Sequence, residues 1–187
     1  MGESRNVNRY AWAFYIMKIY WIPEEFSKTP GKLGITPSPG SLRESTEAAL
    51  HSLKQQGVYR LICLQESFEL QRFEPPETLK DRALAVKQAG MRFTHEPVED
   101  FQAPTLSQVQ RVVDGILQDL ESGKNIVVHC WAGLGRAGTL AACVLVAKGM
   151  HATGSIEMVR WCRSPGAIQS EAQEKIIHRF AYVKHHT

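Results

Sequence analysis

The chain has 187 residues, 43% of them apolar, 22% charged and 9% aromatic, with a formal net charge of +3. A chain of this length buries a core without disulfide or metal staples, and one domain accommodates it. The small, dispersed positive excess suits an anionic substrate; with no run of lysine and arginine interleaved with aromatics, it excludes a nucleic-acid groove.

From the N-terminus, MGESRNVNRYAWAFYIMKIYW carries an apolar stretch. Lys18 interrupts it, it is too short to span a bilayer, and no small-residue cleavage site follows. Residues 11–22 alternate loosely and are rich in aromatics and isoleucine, which predicts one strand or a pair. Prolines at 23, 30, 37 and 39 and glycines at 31, 34 and 40 then predict a surface loop over 23–40. Ser41 with Glu44 forms a capping box that opens a helix, and Gly57 stops it. VYRLICL (58–64) has the pattern of a buried strand, and a weaker helix over 76–89 ends at Gly90. MRFTHEPV (91–98) predicts the next strand. Thr105 and Gln108 form a second capping box, and Val109, Val112, Val113, Ile116, Leu117 and Leu120 then recur at helical spacing up to Gly123. NIVVHC (125–130) is a short apolar strand, and 136–148 is an almost wholly apolar helix, of the kind buried on most sides. Two last helices are expected near 154–163 and 170–184. Strands alternating with helices predict an α/β layer fold whose sheet is covered on both faces.

Between the last strand and the apolar helix lies VHCWAGLGRAGT (128–139), in which five residues separate Cys130 from Arg136 and glycines stand at 133, 135 and 138. It sits at the carboxyl end of a sheet strand, where such folds bind ligands. Glycine lets backbone amides turn inward, and a glycine-rich turn that opens a helix gathers them at the positive end of the helix dipole. An ATP-binding loop would end in lysine and a hydroxyl; this one ends in Arg136. A cysteine under such a nest and beside a cation is poised as a thiolate. Arg136 can grip two oxygens of an anion with its planar fork. Phosphate fits all three features, so Cys130 is a candidate nucleophile for phosphorus, with Trp131, Ala132, Gly133, Leu134, Gly135 and Arg136 lining the anion site. The other cysteines, 63, 143 and 162, make no Cys-x-x-Cys pair. Neither a metal site nor a disulfide framework is expected, and reducing cytosol is the expected compartment.

The loop resembles the signature of the cysteine-dependent protein phosphatases, His-Cys-x-x-Gly-x-x-Arg followed by Ser or Thr. In particular it resembles the small dual-specificity group with its cyclin-dependent-kinase-associated phosphatases and their bacterial relatives. LGITPSPGS (33–41) is similar to that group's Leu-Gly-x-x-x-x-Pro-Gly entry segment, LICLQESFEL (61–70) to its second strand with the Glu-Leu that follows, and SPGAIQSEAQ (164–173) to its Gly-Ala-Ile-Gln stretch. The resemblance implies one protein-tyrosine-phosphatase-like domain over 1–187, with a core at 33–184 after an N-terminal segment, 1–32, of unassigned role. It implies a central sheet of about five strands flanked by helices on both faces, no metal or cofactor, and a two-step reaction through phosphocysteine.

A leaving oxygen needs a proton. The resemblance places the acid as an aspartate a few residues before a proline, and in VEDFQAPT (98–105) Asp100 matches, with Glu99 as the fallback. His129 precedes Cys130 on a strand, so its side chain points away from the phosphate and its expected work is a structural hydrogen bond that orients the loop. Gln169 and Gln173, one helical turn apart, are candidates for holding the hydrolytic water, and the resemblance favours Gln173. Position 137 departs from the pattern. Ala137 has no hydroxyl to offer the sulfur, and a charge-assisted hydrogen bond worth roughly 1.5–3 kcal/mol is forgone, which predicts slowed breakdown of the intermediate; the side chain of Thr139 is expected to face elsewhere. Cys63 ends the neighbouring strand as a small buried hydrophobe, with oxidative pairing to Cys130 as its alternative. Asn8-Arg9-Tyr10 echoes a phosphotyrosine-loop tripeptide. The implied protein is a monomeric cytoplasmic phosphatase acting on phosphotyrosine, phosphoserine or phosphothreonine in a phosphoprotein, a phosphorylated kinase among the targets. It touches neither nucleic acid nor membrane. The alternative is a phosphate-binding adaptor, which Ala137 favours and the set Cys130, Arg136 and Asp100 opposes.

Overall fold

The short apolar runs pair into one mixed sheet built of β1 (Tyr20–Trp21), β2 (Leu33–Thr36), β3 (Val58–Cys63), β4 (Arg92–His95) and β5 (Asn125–His129). The structure, a computed structural model, describes residues 16–42 and 44–186. Asn8-Arg9-Tyr10 and the first residues of the strand expected at 11–22 lie outside them. The order across the sheet is β1-β2-β5-β3-β4, with β1 antiparallel to β2 and every other pair parallel. β5 is therefore central, Val128 lying beside Ile35 on one edge and Ile62 on the other. A parallel strand paired on both edges and covered on both faces must be apolar throughout, which is why Ile126, Val127 and Val128 run together in sequence.

The helices are α1 (Glu24–Ser27), α2 (Thr46–Gln55), α3 (Leu79–Gln88), α4 (Leu106–Glu121), α5 (Gly135–Ala147), α6 (Ala152–Cys162) and α7 (Glu171–His186). Alternation along β5 divides the core. Val127 faces α2 and α3, packing with Leu50, Leu53 and Val86. Ile126 and Val128 face the α4–α7 layer. At the centre of that layer every residue of α5 from Gly135 to Val146 is buried, Arg136 and Thr139 included, as its almost wholly apolar sequence requires. α4 shows the opposite pattern: Val109, Val112, Val113, Ile116 and Leu120 form one buried stripe, and the Thr105–Gln108 capping box closes its N-terminus. Among the described residues no helix is long and apolar enough to cross a membrane.

Three expectations need correction. The surface loop expected over 23–40 contains α1 and, at Leu33–Thr36, a wholly buried strand between β1 and β5. Prolines 30 and 37 bracket this strand instead of forbidding it. Gly34 lies inside it because the side chains of Ile19 and Trp21 pass within 2.5 and 2.8 Å of where a Cβ would stand. The helix expected from Ser41 begins at Thr46, and its cap is Ser45, whose hydroxyl accepts from Ala48 N at 3.2 Å. Glu44 instead accepts from the backbone N of Gly40 at 3.3 Å, so it closes the preceding turn. The strand expected over 11–22 reduces, among the described residues, to Tyr20–Trp21. A 3₁₀ helix at Ser67–Arg72, which sequence periodicity did not signal, carries a residue central to the site.

Candidate active site

β5 delivers Cys130 to the middle of the sheet's carboxyl edge, and α5 begins five residues later at Gly135. The connecting loop is shaped from outside. Ser38 N donates to the Trp131 carbonyl at 2.9 Å, and Arg163 donates to the Ala132 and Gly133 carbonyls at 2.8 and 2.9 Å. Ile168 N donates to the Leu134 carbonyl at 3.3 Å, and the Thr139 hydroxyl to that of Gly135 at 2.9 Å. In a trans peptide the N–H points opposite to the C=O. Carbonyls drawn outward at 131 to 134 therefore turn the amides of residues 132 to 135 toward the loop's interior. Gly133 has φ +66°, and a Cβ there would lie 2.3 Å from the Thr36 carbonyl oxygen, so only glycine lets the loop settle against the end of β2. On the far side Trp131 packs on Phe73 at 5.3 Å between centroids, and the buried Arg82 lies 4.9 Å from that same Phe73 ring.

Cys130 is 3% exposed and joins the α4–α7 core at the loop's base. Arg136, 1% exposed, is held by Glu69 in a two-pronged ion pair, with Nη1 at 2.6 Å and Nη2 at 2.9 Å from its carboxylate oxygens. Nη1 also donates to the Val98 carbonyl at 3.0 Å, and Nη2 lies 3.0 Å from Asp100 Oδ1. Nε is buried and has no hydrogen-bond partner among the described residues. Burial works against the positive charge, but the Glu69 hydrogen bonds, the Cys130 sulfur and the Glu69 and Asp100 carboxylates outweigh it, and the guanidinium sits above its ordinary value. Of the two acids in the VEDFQAPT loop, it is Asp100 that faces Arg136, with its side chain 54% exposed.

Glu69 stands in the sequence only as the glutamate of the Glu-Leu after the second strand, with no role assigned to it. Its signal was available: Glu66 and Glu69 form a capping box around the 3₁₀ helix, with Glu66 N donating to Glu69 Oε2 at 2.8 Å. Arg163 was also missed, being separated from the loop it braces by the whole of α5 and α6.

The two glutamines differ in their commitments. Gln173 is fully buried; its Oε1 accepts from Gln169 N at 2.8 Å and its Nε2 donates to the Gln102 carbonyl at 3.1 Å. Gln169 Oε1 lies over Gly135, 2.7 Å from where a Cβ would stand. Ala137 is wholly buried, and the Thr139 hydroxyl is occupied by the Gly135 carbonyl. Burial pushes the Cys63 thiol up to about 11 and raises Cys143 and Cys162 as well. Among the described residues no group of three or more His, Cys, Asp or Glu is placed to hold a metal ion.

His129 is fully buried, its Nδ1 lying 3.3 Å from the Cys130 carbonyl, a contact that calls for the Nδ1–H tautomer. Burial first, then the positive charge of Arg82, lowers its pKa to about 3. The unfolded chain binds this proton from about pH 6.5 downward, whereas the folded protein refuses it until far lower. The resulting stability is fully present above the unfolded value and is lost as pH falls. Urea unfolding should therefore show on the order of 2–3 kcal/mol lost between about pH 7 and 4.5. His129→Gln should remove most of that slope, and an unchanged slope would show that His129 does not titrate in this way.

A family model described as "Polymorphic toxin system, DSP-PTPase phosphatase" matches residues 38–150. Cyclin-dependent kinase inhibitor 3 of Rattus norvegicus is 25% identical over 170 residues, covering 88% of this chain and 78% of that protein. Protein tyrosine phosphatase domain-containing protein 1 of Danio rerio is 34% identical over 109 residues, covering 58% of this chain and 15% of that one. Among solved structures, kinase associated phosphatase with its catalytic-site cysteine changed to serine superposes with a TM-score of 0.81 at 22% identity, covering 93% of this chain and 99% of that one. Tk-PTP in its active form gives 0.68 at 25% identity, covering 81% and 92%.

Proposed function

The chain belongs to the polymorphic toxin system DSP-PTPase phosphatase family and is a cysteine-dependent phosphatase, and on that premise we propose that it hydrolyses phosphotyrosine and phosphoserine or phosphothreonine in proteins through a phosphocysteine on Cys130. The observation that carries this is the ring of carbonyls drawn outward by Ser38, Arg163 and Ile168 above a buried Cys130. Those bonds support inward-turned amides in the loop, with the Arg136 guanidinium near enough to feel the Cys130 sulfur.

In the first step the Cys130 thiolate forms the S–P bond, the P–O bond to the leaving group breaks, and Asp100 protonates the departing oxygen. The amides of residues 131 to 136 and the free Nε of Arg136 hold the equatorial oxygens as charge develops. In the second step water forms the new P–O bond, its proton goes to Asp100, and sulfur leaves as thiolate. Gln169, whose carboxamide oxygen lies over the loop, is better placed than Gln173 to orient that water, because Gln173 is spent on structure. The kinase-associated names of the relatives support a phosphorylated kinase as one substrate, met by a monomer in the cytoplasm.

Ala137 makes the second step slow. Stopped-flow assay with p-nitrophenyl phosphate should give a burst near one equivalent of nitrophenol followed by a slower steady state. Ala137→Ser should raise the steady-state rate by about tenfold, the equivalent of one charge-assisted hydrogen bond to sulfur. Fast turnover with no burst, unchanged by the serine, would remove the assigned intermediate from the slow step.

A further inference from the structure

The segment bearing Asp100 is fastened to the protein from two directions. Arg136 holds it through the Val98 carbonyl and the Asp100 carboxylate. The start of α7 holds it independently: Ser170 Oγ donates to the Phe101 carbonyl at 2.7 Å, and Gln173 Nε2 donates to the Gln102 carbonyl at 3.1 Å. The two anchors are one unit, because Gln173 N donates back to Ser170 Oγ at 3.3 Å and Gln173 Oε1 accepts from Gln169 N. Phe101 has φ +61°, a left-handed conformation that costs free energy at a non-glycine residue. The Ser170 hydrogen bond is at the Phe101 carbonyl, so it fixes the Phe101–Gln102 peptide and with it the left-handed turn that follows Asp100. On the other side of the same residue Phe101 N donates to Asp100 Oδ1 at 3.1 Å, so the residue that Ser170 anchors also orients the carboxylate.

We propose that Ser170, backed by Gln173, is a positioning residue that fixes the acid loop at points separate from those held by Arg136 and so holds Asp100 in its proton-donating place. This rests on the reading of Asp100 as the donor. A loosened loop costs the leaving oxygen its proton, and that matters only where the leaving group needs one. Dinitrophenolate departs unaided, whereas the tyrosine phenol does not.

The test compares kcat/KM, which reports the first phosphoryl transfer, for O-phosphotyrosine and 2,4-dinitrophenyl phosphate in the wild type, Ser170→Ala, Ser170→Thr and Asp100→Asn. Ser170→Ala should lose about tenfold on phosphotyrosine, part of the roughly 10²–10⁴ that a positioned acid contributes. It should keep nearly its full rate on the dinitrophenyl ester, and Ser170→Thr, which retains the hydroxyl, should restore the loss. An equal loss on both esters, or no loss on either, overturns the proposal. Asp100→Asn tells the two failures apart. If it shows the leaving-group dependence and Ser170→Ala does not, only the positioning role falls; if Asp100→Asn shows none, the donor assignment falls with it.

Discussion

Cys130→Ser should reduce hydrolysis of aryl phosphates to the background rate while the protein still binds oxyanions. A serine hydroxyl is far less acidic than a thiol, and without a neighbouring base it is a poor nucleophile. The rest of the anion site is untouched by the exchange. The outward carbonyl bonds from Ser38, Arg163 and Ile168 do not involve the sulfur, and Arg136 is held by Glu69. Serine is also close in volume to cysteine, so the buried base of the loop should keep its packing. Calorimetric titration with a phosphotyrosyl peptide should therefore find wild-type-like affinity in a variant with no turnover. A variant that still turns over would identify another nucleophile. Loss of both binding and folding would mean that the sulfur is chiefly a packing element.

Glu69→Ala should have the largest effect on stability of any single change at the site. Glu69 and Arg136 are 3% and 1% exposed and share two short hydrogen bonds. Removing one member of such a pair strands a buried charge, at about 3–5 kcal/mol. The partly exposed Asp100 offsets some of that cost. Activity should fall too, because the fork of Arg136 is then free to turn away from the anion, and loss of one well-aimed donor costs about 10²–10³ in kcat. Glu69→Gln, which keeps the shape and one acceptor, should fall between the wild type and alanine on both scales. Urea midpoints and kcat/KM measured on the same preparations check both halves. Wild-type stability in the alanine variant would show that Asp100 and the Val98 carbonyl suffice to hold the guanidinium.

Contiguous chemistry was legible in the sequence. The strand into β5, Cys130, the glycines, Arg136 and the apolar α5 follow one another along the chain, and each carries its own local signal. The Thr105–Gln108 capping box was equally plain, because both partners lie within one turn. What escaped was whatever depended on distant partners or on very short elements. β2 is four residues between prolines, too brief for alternation to show. Ser45 displaced Ser41 as a helix cap because Glu44 was drawn to Gly40, a choice that two nearby serines leave open in sequence. Glu69 sits in a 3₁₀ helix, where no apolar period marks its inward face. The buried bond that occupies the Gln173 carboxamide goes to the Gln102 carbonyl, far away along the chain.

The curvature of the turn from Cys130 to Arg136 is imposed by groups from the segment after β2, the end of α6, the approach to α7 and the start of α5. The signature peptide excised from this scaffold would relax, its carbonyls free to turn back toward solvent. Transplanting the motif alone onto another strand-and-helix junction would carry over the letters but not the receptor, unless Ser38, Arg163 and their supports travelled with it.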